Sequence, residues 1–286
     1  MNYPFKNQTL NNEISESGYV ILPFFNSVEV EHLLSFYKKN HSSSVPGFYA
    51  SSHSSDIEFR KLMSDEIKKS IFSSTQVHFE NVAFLGGSFI VKTNKQVDRL
   101  NPHQDWSIVD ENNSDSFNIW IPLVDVNQDN GAIRVAPKSH LWFSNYRGPN
   151  IPDPLSNQME QLWESMIDLP MKKGEALIYN HKLYHGSTPN KLDTHRIAAV
   201  FGLKHVNADM RYYFGNNGVV EVYESTADFY LNGNIQEGNK ELKLVDQTSI
   251  KSIPNSSLPF DFDEIESKKA TNNNLFLRLL KKFQIR

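Results

Sequence analysis

The sequence predicts a mainly β protein, built as a sandwich or barrel and flanked by N-terminal helices. Apolar and polar residues alternate with a period of two from Val77 onward, most clearly between Phe117 and Val124. The turn signal Asp129-Asn130-Gly131 leads into another short apolar run. Because no long helices alternate with these short strands, we do not expect a parallel sheet.

The N-terminal part of the chain predicts one strand and two helices. The apolar run from Gly18 to Phe25 is typical of a buried strand. A helix should follow, with Asn26 or Ser27 as N-cap, Glu29 three residues after Asn26, and apolar residues at helical spacing (Val30, Leu33, Leu34 and Tyr37). A weaker helical pattern covers residues 56–70, and the excursion from 141 to 170 should hold one short helix.

Composition excludes several classes of protein. The 286 residues are 39% hydrophobic, enough for a large core in one big or two modest domains, and the net charge of −4 does not indicate nucleic-acid binding. There is no cysteine, and therefore no disulfide, cysteine-ligated zinc, iron–sulfur cluster or thiol nucleophile. The first residues do not resemble a secretory signal, and no run of 18 apolar residues could span a membrane. We therefore expect a cytoplasmic protein.

Three distant residues have the chemistry of a metal site. His103 and Asp105 are two apart, so at a strand end their side chains face the same side. His185 ends an apolar run, and Arg196 opens another one eleven residues later. Two histidines and a carboxylate are the ligand set of non-haem Fe(II) oxygenases. Alternatives are a simple turn pair for His103 and Asp105, a surface ion pair for Arg196, and four other histidines as the distal ligand, with His181 the main rival (His140, His181, His195 and His205).

Four stretches resemble the phytanoyl-CoA dioxygenase family of iron- and 2-oxoglutarate-dependent oxygenases. They lie between about residues 15 and 205 and comprise Gly18-Tyr-Val-Ile-Leu-Pro, His103-Gln-Asp-Trp, Asn130-Gly-Ala-Ile-Arg-Val-Ala-Pro-Lys-Ser-His140, and His185-Gly-Ser-Thr-Pro-Asn followed by Arg196. One departure is Lys138, where the family usually has a glycine before Ser-His.

The resemblance implies a double-stranded β-helix (a jelly-roll, cupin-like core) with Fe(II) held by His103, Asp105 and His185. Arg196 would bind the far carboxylate of 2-oxoglutarate, and Ser187 could share it. Weaker co-substrate candidates are Gln104, Trp120 and Lys92, and substrate candidates are Trp106, Arg134 and His140. Each has a structural alternative: the two tryptophans could be core residues, Lys92 could be solvated, and His140 could be a structural hydrogen-bonding group.

The expected activity is hydroxylation of an unactivated carbon in a small-molecule or conjugated metabolite. O2 would be consumed, and 2-oxoglutarate would be converted to succinate and CO2. Related halogenases have a small residue in place of the carboxylate, so Asp105 favours hydroxylation. The alternative is a non-oxidative cupin-like metal-binding protein, either an isomerase or a binding module. A third is an interaction protein that uses its C-terminal helix. We expect Arg134, residues 142–143 and residues 146–147 to line a pocket for a polar or sugar-bearing group.

The domain organisation is predicted as three segments. Residues 1–250 form the dioxygenase domain with its N-terminal helical layer, residues 251–274 a polar linker, and residues 275–286 a basic amphipathic helix. One face of that helix is apolar (Phe276, Leu279, Leu280 and Phe283). It could pack on the core or on a partner subunit, or it could make a peripheral contact with anionic lipid.

Overall fold

The computed structural model describes residues 4–41, 47–95, 98–142, 144–233 and 249–254. The helices of these residues are α1 (Gln8–Ser17), α2 (Ser27–Asn40), α3 (Ile57–His78), α4 (Met159–Ser165) and α5 (Ala227–Asn232). The strands are β1 (Tyr19–Pro23), β2 (Phe48–Ala50), β3 (Val82–Lys92), β4 (Leu100–His103), β5 (Ser116–Pro122), β6 (Ile133–Val135), β7 (Ile167–Leu169), β8 (Glu175–Asn180), β9 (His185–Ser187), β10 (Arg196–His205), β11 (Arg211–Asn216), β12 (Val219–Glu224) and β13 (Lys251–Pro254).

The strands form three antiparallel sheets, which confirms the mainly β prediction. A six-stranded sheet has the order β1-β8-β5-β10-β3-β2, and a four-stranded sheet has the order β4-β9-β6-β7. The third sheet, β11-β12-β13, follows them in the chain. Side chains of both larger sheets pack together in one apolar cluster, among them Trp120 and Ala198 from one sheet and Ile133 and Leu169 from the other. The two sheets therefore face each other across this layer.

The N-terminal helices cover the other face of the six-stranded sheet. Ile14, Leu33 and Ile67, from α1, α2 and α3, pack in one core cluster with strand residues such as Ile119 and Phe201. In β5, the odd-numbered residues from Phe117 to Ile121 belong to this helix-side cluster, whereas Trp120 belongs to the cluster between the sheets. The period of two thus aims the even-numbered side chains of β5 at the interior between the sheets.

The helix boundaries confirm one prediction and correct another. Asn26 caps α2 in a capping box, because its side chain accepts from the Val28 and Glu29 amides and the Glu29 carboxylate accepts from the Asn26 amide. The predicted change to a strand at Val77 is wrong, since α3 continues to His78 and the strand begins at Val82. Val77 lies exposed on the last turn of α3, so its apolar side chain does not indicate the buried face of a strand.

In the sequence, Gly86-Gly87 breaks the alternating run as a bulge or bend would, and the structure has an irregularity there. The register of β3 with β10 shifts so that Gly202 faces Gly86 and Leu203 faces Phe84, which leaves Leu85 as the bulged residue. A Cβ atom on Gly87 would lie 2.9 Å from Ile67 Cγ2. Helix α3 can therefore pack directly on the backbone at this point.

The structure describes only the first residues of the predicted polar linker at 251–274. Lys251–Pro254 pair with β12, so β13 occupies the first residues of the predicted polar linker. Neither α5 nor the third sheet was predicted. The rest of the linker and the basic helix at 275–286 lie outside the described residues, and so does any membrane contact of that helix. No helix in the described part of the chain is long and apolar enough to cross a membrane.

Candidate metal centre

Two antiparallel strands bring the predicted histidines side by side. His103 ends β4 and is the Cα partner of His185, which opens β9. Their ring centroids lie 4.3 Å apart. Asp105 follows two residues after His103, and the potential ligand atoms of the three side chains all lie within 4.8 Å of one another. Sheet pairing therefore joins a local His-x-Asp pair to a histidine about 80 residues away.

Backbone carbonyls fix the orientation of both imidazole rings. His103 Nδ1 lies 2.9 Å from the Asn101 carbonyl oxygen, and His185 Nδ1 lies 3.0 Å from the Leu183 carbonyl oxygen. Because a carbonyl can only accept, each Nδ1 must carry the proton. Each Nε2 then presents a lone pair, as a metal-binding histidine requires.

The Asp105 carboxylate is held by a residue that the sequence did not suggest. Asn118, from the inward face of β5, donates from Nδ2 to Asp105 Oδ2 at 2.8 Å. The other oxygen, Oδ1, lies 3.9 Å from His185 Nε2. The backbone of Asp105 is fixed as well, since its amide donates to the His181 carbonyl and its carbonyl accepts from Arg147 Nε. One carboxylate oxygen therefore remains for the triad.

The electrostatics favour the protonation states that bind metal. Burial, assisted by the nearby charge of His103, lowers the pKa of His185 to about 4. Burial alone would raise the pKa of Asp105, but the charges of His185, His181 and His103 and the Asn118 hydrogen bond lower it overall. At neutral pH His185 is therefore neutral and Asp105 ionised, which is what metal coordination needs.

The four rival histidines do not belong to the triad. His181 Nδ1 is 2.8 Å from the Ser116 hydroxyl oxygen, and His140 Nε2 is 3.1 Å from the Ser15 carbonyl oxygen. His195 precedes β10 and His205 ends it. Among the described residues, the group of side chains with the geometry of a metal site consists of His103, Asp105 and His185. It includes none of these four histidines.

Arg196 lies in a cavity of about 270 Å³ next to the triad. The cavity is lined by His103, Asp105 and His185 together with Arg196, Ser187, Trp120 and Tyr179. Arg196 is 1% exposed, and its Nε and Nη1 atoms have no hydrogen-bond partner among the described residues. The same holds for Ser187 Oγ and Trp120 Nε1. Burial lowers the pKa of Arg196 to about 9. Buried polar groups normally have partners, so these atoms indicate a site for an anion.

The other two co-substrate candidates occupy different places. Lys92 is buried rather than solvated, and its Nζ donates to the carbonyl oxygens of Ser187 and Thr188 at 3.1 Å and 2.6 Å. It does not line the cavity that contains Arg196, which is called the smaller cavity below. Gln104 lines a second cavity of about 390 Å³, which shares His103 and Asp105 with the first but not Arg196. The predicted contact of Lys92 and Gln104 with the co-substrate therefore lacks support.

The substrate candidates divide in the same way. Trp106 lines the larger cavity, but Arg134 and His140 line neither cavity. Arg134 lies 3.0 Å from Asp168 and stacks on Trp163, because β6 turns its neighbours Ile133 and Val135 toward the core and Arg134 away from it. The His140 side chain instead forms a hydrogen bond with the Ser15 carbonyl oxygen of α1. The structure thus gives both residues structural partners, and their contact with a substrate stays a prediction.

Two residues of the site were missed from the sequence, and a third, His181, was considered only as a rival metal ligand. Asn118 holds Asp105, the Tyr179 hydroxyl lies 3.4 Å from His185 Nε2, and His181 lines the larger cavity. Asn118 could have been found, because it is a polar residue at an inward position of an alternating apolar run. No sequence pattern pointed to Tyr179.

Similar proteins of known structure share this fold. SnoN, a non-haem α-ketoglutarate-dependent epimerase of nogalamycin biosynthesis, is 18% identical with a TM-score of 0.55 over 71% of this chain and 85% of its own. SnoK, a carbocyclase of the same biosynthesis, is 16% identical with a TM-score of 0.53 over 71% and 86%. EvdO2 from Micromonospora carbonacea var. aurantiaca, solved with 2-oxoglutarate, is 18% identical with a TM-score of 0.52 over 72% and 94%. The predicted jelly-roll core is confirmed by these likenesses.

Sequence relatives and a family model identify the family. Dioxygenase FUM3 of Gibberella moniliformis is 28% identical over 91 residues, which are 32% of this chain and 26% of the relative. Dioxygenase cdmA of Talaromyces verruculosus is 33% identical over 80 residues, 28% and 23% respectively. These matches span about a quarter of the curated relatives. The model of the phytanoyl-CoA dioxygenase (PhyH) family matches residues 29–198, more than half of the sequence. The chain, as its motifs predicted, belongs to the phytanoyl-CoA dioxygenase family.

Proposed function

We propose that the protein is an Fe(II)- and 2-oxoglutarate-dependent dioxygenase that hydroxylates an unactivated carbon of a small molecule. One observation carries the proposal. The potential ligand atoms of three side chains of the Fe(II) ligand type lie within 4.8 Å of one another. Beside them is Arg196, a buried cation whose Nε and Nη1 atoms have no hydrogen-bond partner in the part of the chain that the structure describes. An open metal site next to an anion site is what binding of an oxoacid to iron requires.

The residues present fit both groups. His103, Asp105 and His185 would hold the metal, and as three protein ligands they leave other coordination positions open. Arg196 would bind the far carboxylate of 2-oxoglutarate bidentately, and Ser187 Oγ would donate to it. With iron bound, the site supplies C–H oxidation coupled to conversion of 2-oxoglutarate and O2 into succinate and CO2.

The remaining side chains position and shield these groups. Asn118 keeps the Asp105 carboxylate oriented, and the carbonyls of Asn101 and Leu183 keep the two imidazoles oriented. Trp120 lies under the Arg196 guanidinium, 5.4 Å from ring centroid to Cζ, and gives the cavity an apolar wall. Such a wall strengthens the pairing of Arg196 with a carboxylate, because it excludes water.

Two alternatives are weighed against this proposal. A halogenase needs a small residue where this chain has Asp105, so the carboxylate favours hydroxylation. A non-oxidative cupin-like isomerase or binding module needs no clamp for an oxoacid and leaves the unpartnered atoms of Arg196 unexplained. Because SnoK is a carbocyclase and SnoN an epimerase, the product should be analysed for an added oxygen atom or a rearranged skeleton.

An anaerobic titration tests the proposal. Fe(II) and 2-oxoglutarate added together to the full chain should produce a visible charge-transfer band, and substrate with O2 should then yield succinate. Asp105→Ala should lose the band and the succinate. Asp193→Ala, which removes an exposed aspartate that pairs only with Lys95 in the described structure, should keep both. Absence of the band in the native protein, or an unchanged band in Asp105→Ala, would refute the assignment.

A further inference from the structure

The larger cavity, which has a volume of about 390 Å³ and is lined by Gln104, has a lining that limits the kind of substrate it can bind. It borders the triad through His103 and Asp105, but Arg196 and Ser187 belong only to the smaller cavity. A molecule in the larger cavity would therefore meet the metal from the side away from the anion site. Its volume of about 390 Å³ is in the lower part of the range for small-molecule sites.

The charges of the larger cavity limit what can bind there. Among the described residues, no lysine, arginine or glutamate lines it, and its single carboxylate, Asp105, belongs to the triad. A phosphate, sulfate or carboxylate placed there would lose its hydration without gaining a lysine or arginine as counterion, which is unfavourable. Arg147, which the sequence suggested for a polar pocket, pairs instead with Glu111.

The roof of the cavity is apolar. Ala227, Tyr230 and Leu231 from α5 line it together with Met210 and Ile108. Trp106 joins the same wall and packs with the aromatic cluster under α5. The lining also includes Gly86 and Gly87, which carry no side chain. These surfaces favour burial of apolar atoms.

Two polar atoms of residues that line the cavity have no hydrogen-bond partner in the described part of the chain, His181 Nε2 and Gln104 Oε1. Gln104 is 8% exposed, and its Nε2 donates to the Lys182 carbonyl, which fixes the orientation of the amide. Its Oε1 is buried and has no hydrogen-bond partner among the described residues. A buried acceptor that lines a ligand cavity is normally satisfied by a donor on the ligand.

From these observations we infer that the primary substrate is an uncharged, mainly apolar molecule with a hydroxyl or amide N–H group that Gln104 Oε1 accepts. Substrates that carry a phosphate-bearing group such as coenzyme A are excluded from the larger cavity. The inference rests on the proposed function, since it describes the substrate side of the same site. It does not depend on the metal for its test.

Two probes with one scaffold test the inference in the metal-free full chain. N-phenyl-1-naphthylamine is neutral and has one N–H donor, and 1-anilinonaphthalene-8-sulfonate is the same molecule with an added sulfonate. Fluorescence titration should show that the neutral probe binds at least tenfold more tightly. Gln104→Leu should weaken its binding several-fold, because the leucine cannot accept the N–H.

Filling the cavity locates the binding site. Ala227→Phe, on the face of α5 that lines the cavity, should reduce binding of the neutral probe at least tenfold. Asp228→Phe, the next and exposed residue of the same helix, is the matched control and should leave it unchanged. Circular dichroism establishes that both variants are folded, and Leu231→Trp replaces Ala227→Phe if that variant is not.

The outcomes separate the two proposals. Equal or tighter binding of the sulfonate, or neutral-probe binding that survives both filled variants, overturns the inference while the charge-transfer band still supports the enzyme. Selective binding of the neutral probe in a protein that gives no band would retain the apolar cavity and overturn the proposed function.

Discussion

Arg196 and Lys92 are Cα partners across β10 and β3, yet their charged groups have different surroundings. The Lys92 Nζ donates to the carbonyl oxygens of Ser187 and Thr188, whereas Nε and Nη1 of Arg196 have no partner among the described residues. Both side chains are almost fully buried. The pair therefore consists of one cation that supports the end of β9 and one that is available to a ligand.

Arg196→Met should weaken 2-oxoglutarate binding and leave metal binding intact. Loss of a buried, bidentate charge-assisted contact corresponds to about 2–3 kcal/mol, or roughly a 30- to 150-fold rise in the KM for 2-oxoglutarate. The measurement is succinate formation as a function of 2-oxoglutarate concentration, with Fe(II) binding measured separately. Arg99→Met is the control, because Arg99 pairs with Glu160 and lines neither cavity. An unchanged KM would remove Arg196 from the co-substrate site.

Lys92 should make the stability of the protein depend on pH. Burial first, and the charge of Arg196 second, lower the pKa of Lys92 from 10.5 to about 7. Above pH 7 the unfolded chain therefore holds a proton that the folded protein has lost, and the free energy of unfolding should increase with pH by up to about 1.4 kcal/mol per unit. Below pH 7 both states are protonated, and this dependence should vanish.

Lys92→Met provides the comparison. Denaturant unfolding at pH 7 and pH 9 should show a smaller increase in the variant than in the native protein, although the variant is less stable at both. Two unsatisfied carbonyls explain the general loss of stability. Equal pH slopes for the two proteins would mean that Lys92 keeps its proton throughout this range.

Asn118→Ala should weaken the metal site without removing a ligand. The Asn118 amide holds Asp105 Oδ2 at 2.8 Å, and loss of such a supporting contact typically lowers metal affinity about 10- to 100-fold. Competition with a chelator measures the affinity. The KM for 2-oxoglutarate at saturating Fe(II) should not change. Asn216→Ala is the control, because Asn216 is exposed at the turn between β11 and β12 and bonds only Glu221 in the described structure. Native metal affinity in Asn118→Ala would show that Asp105 needs no such support.

Arg60 should hold the roof of the larger cavity in place. Its Nε and Nη2 donate to the carbonyl oxygens of Leu231 and Asn232 at 2.8 Å each, and its Nη1 donates to the Ser54 carbonyl oxygen. Arg60→Met should destabilise the protein by about 2–4 kcal/mol, because three partly buried carbonyls lose a charged donor. Amide hydrogen exchange should accelerate in α5 above all.

A neighbouring residue tests whether this effect is specific. Lys61 follows Arg60 on α3, but its side chain is exposed and pairs with Glu58. Lys61→Met should therefore leave both the stability and the exchange of α5 close to native values. Unchanged exchange in α5 for Arg60→Met would show that the helix is held by its apolar contacts instead.

The sequence alone determined the features that depend on local patterning or on a motif. The period of two in β5, the capping box at Asn26 and the glycine interruption of β3 follow from backbone chemistry over a few residues. The triad was predicted because His103 and Asp105 share one short stretch and a family motif surrounds His185. Alternation could also have shown that Arg134 points away from the core, but the motif drew attention to it.

Only the tertiary structure decided what each polar side chain faces. Register between β4 and β9 set His103 opposite His185. The lack of hydrogen-bond partners for Nε and Nη1 in the described structure distinguished Arg196 from Lys92, although both are buried cations at strand ends. The separation of Gln104 from the co-substrate cavity and the apolar roof formed by α5 also depend on contacts between segments distant in the chain. Local sequence carries no information on such contacts, because they arise when sheets and helices pack, and it is this packing that gives a charge or a hydrogen-bonding group its partner or leaves it for a ligand.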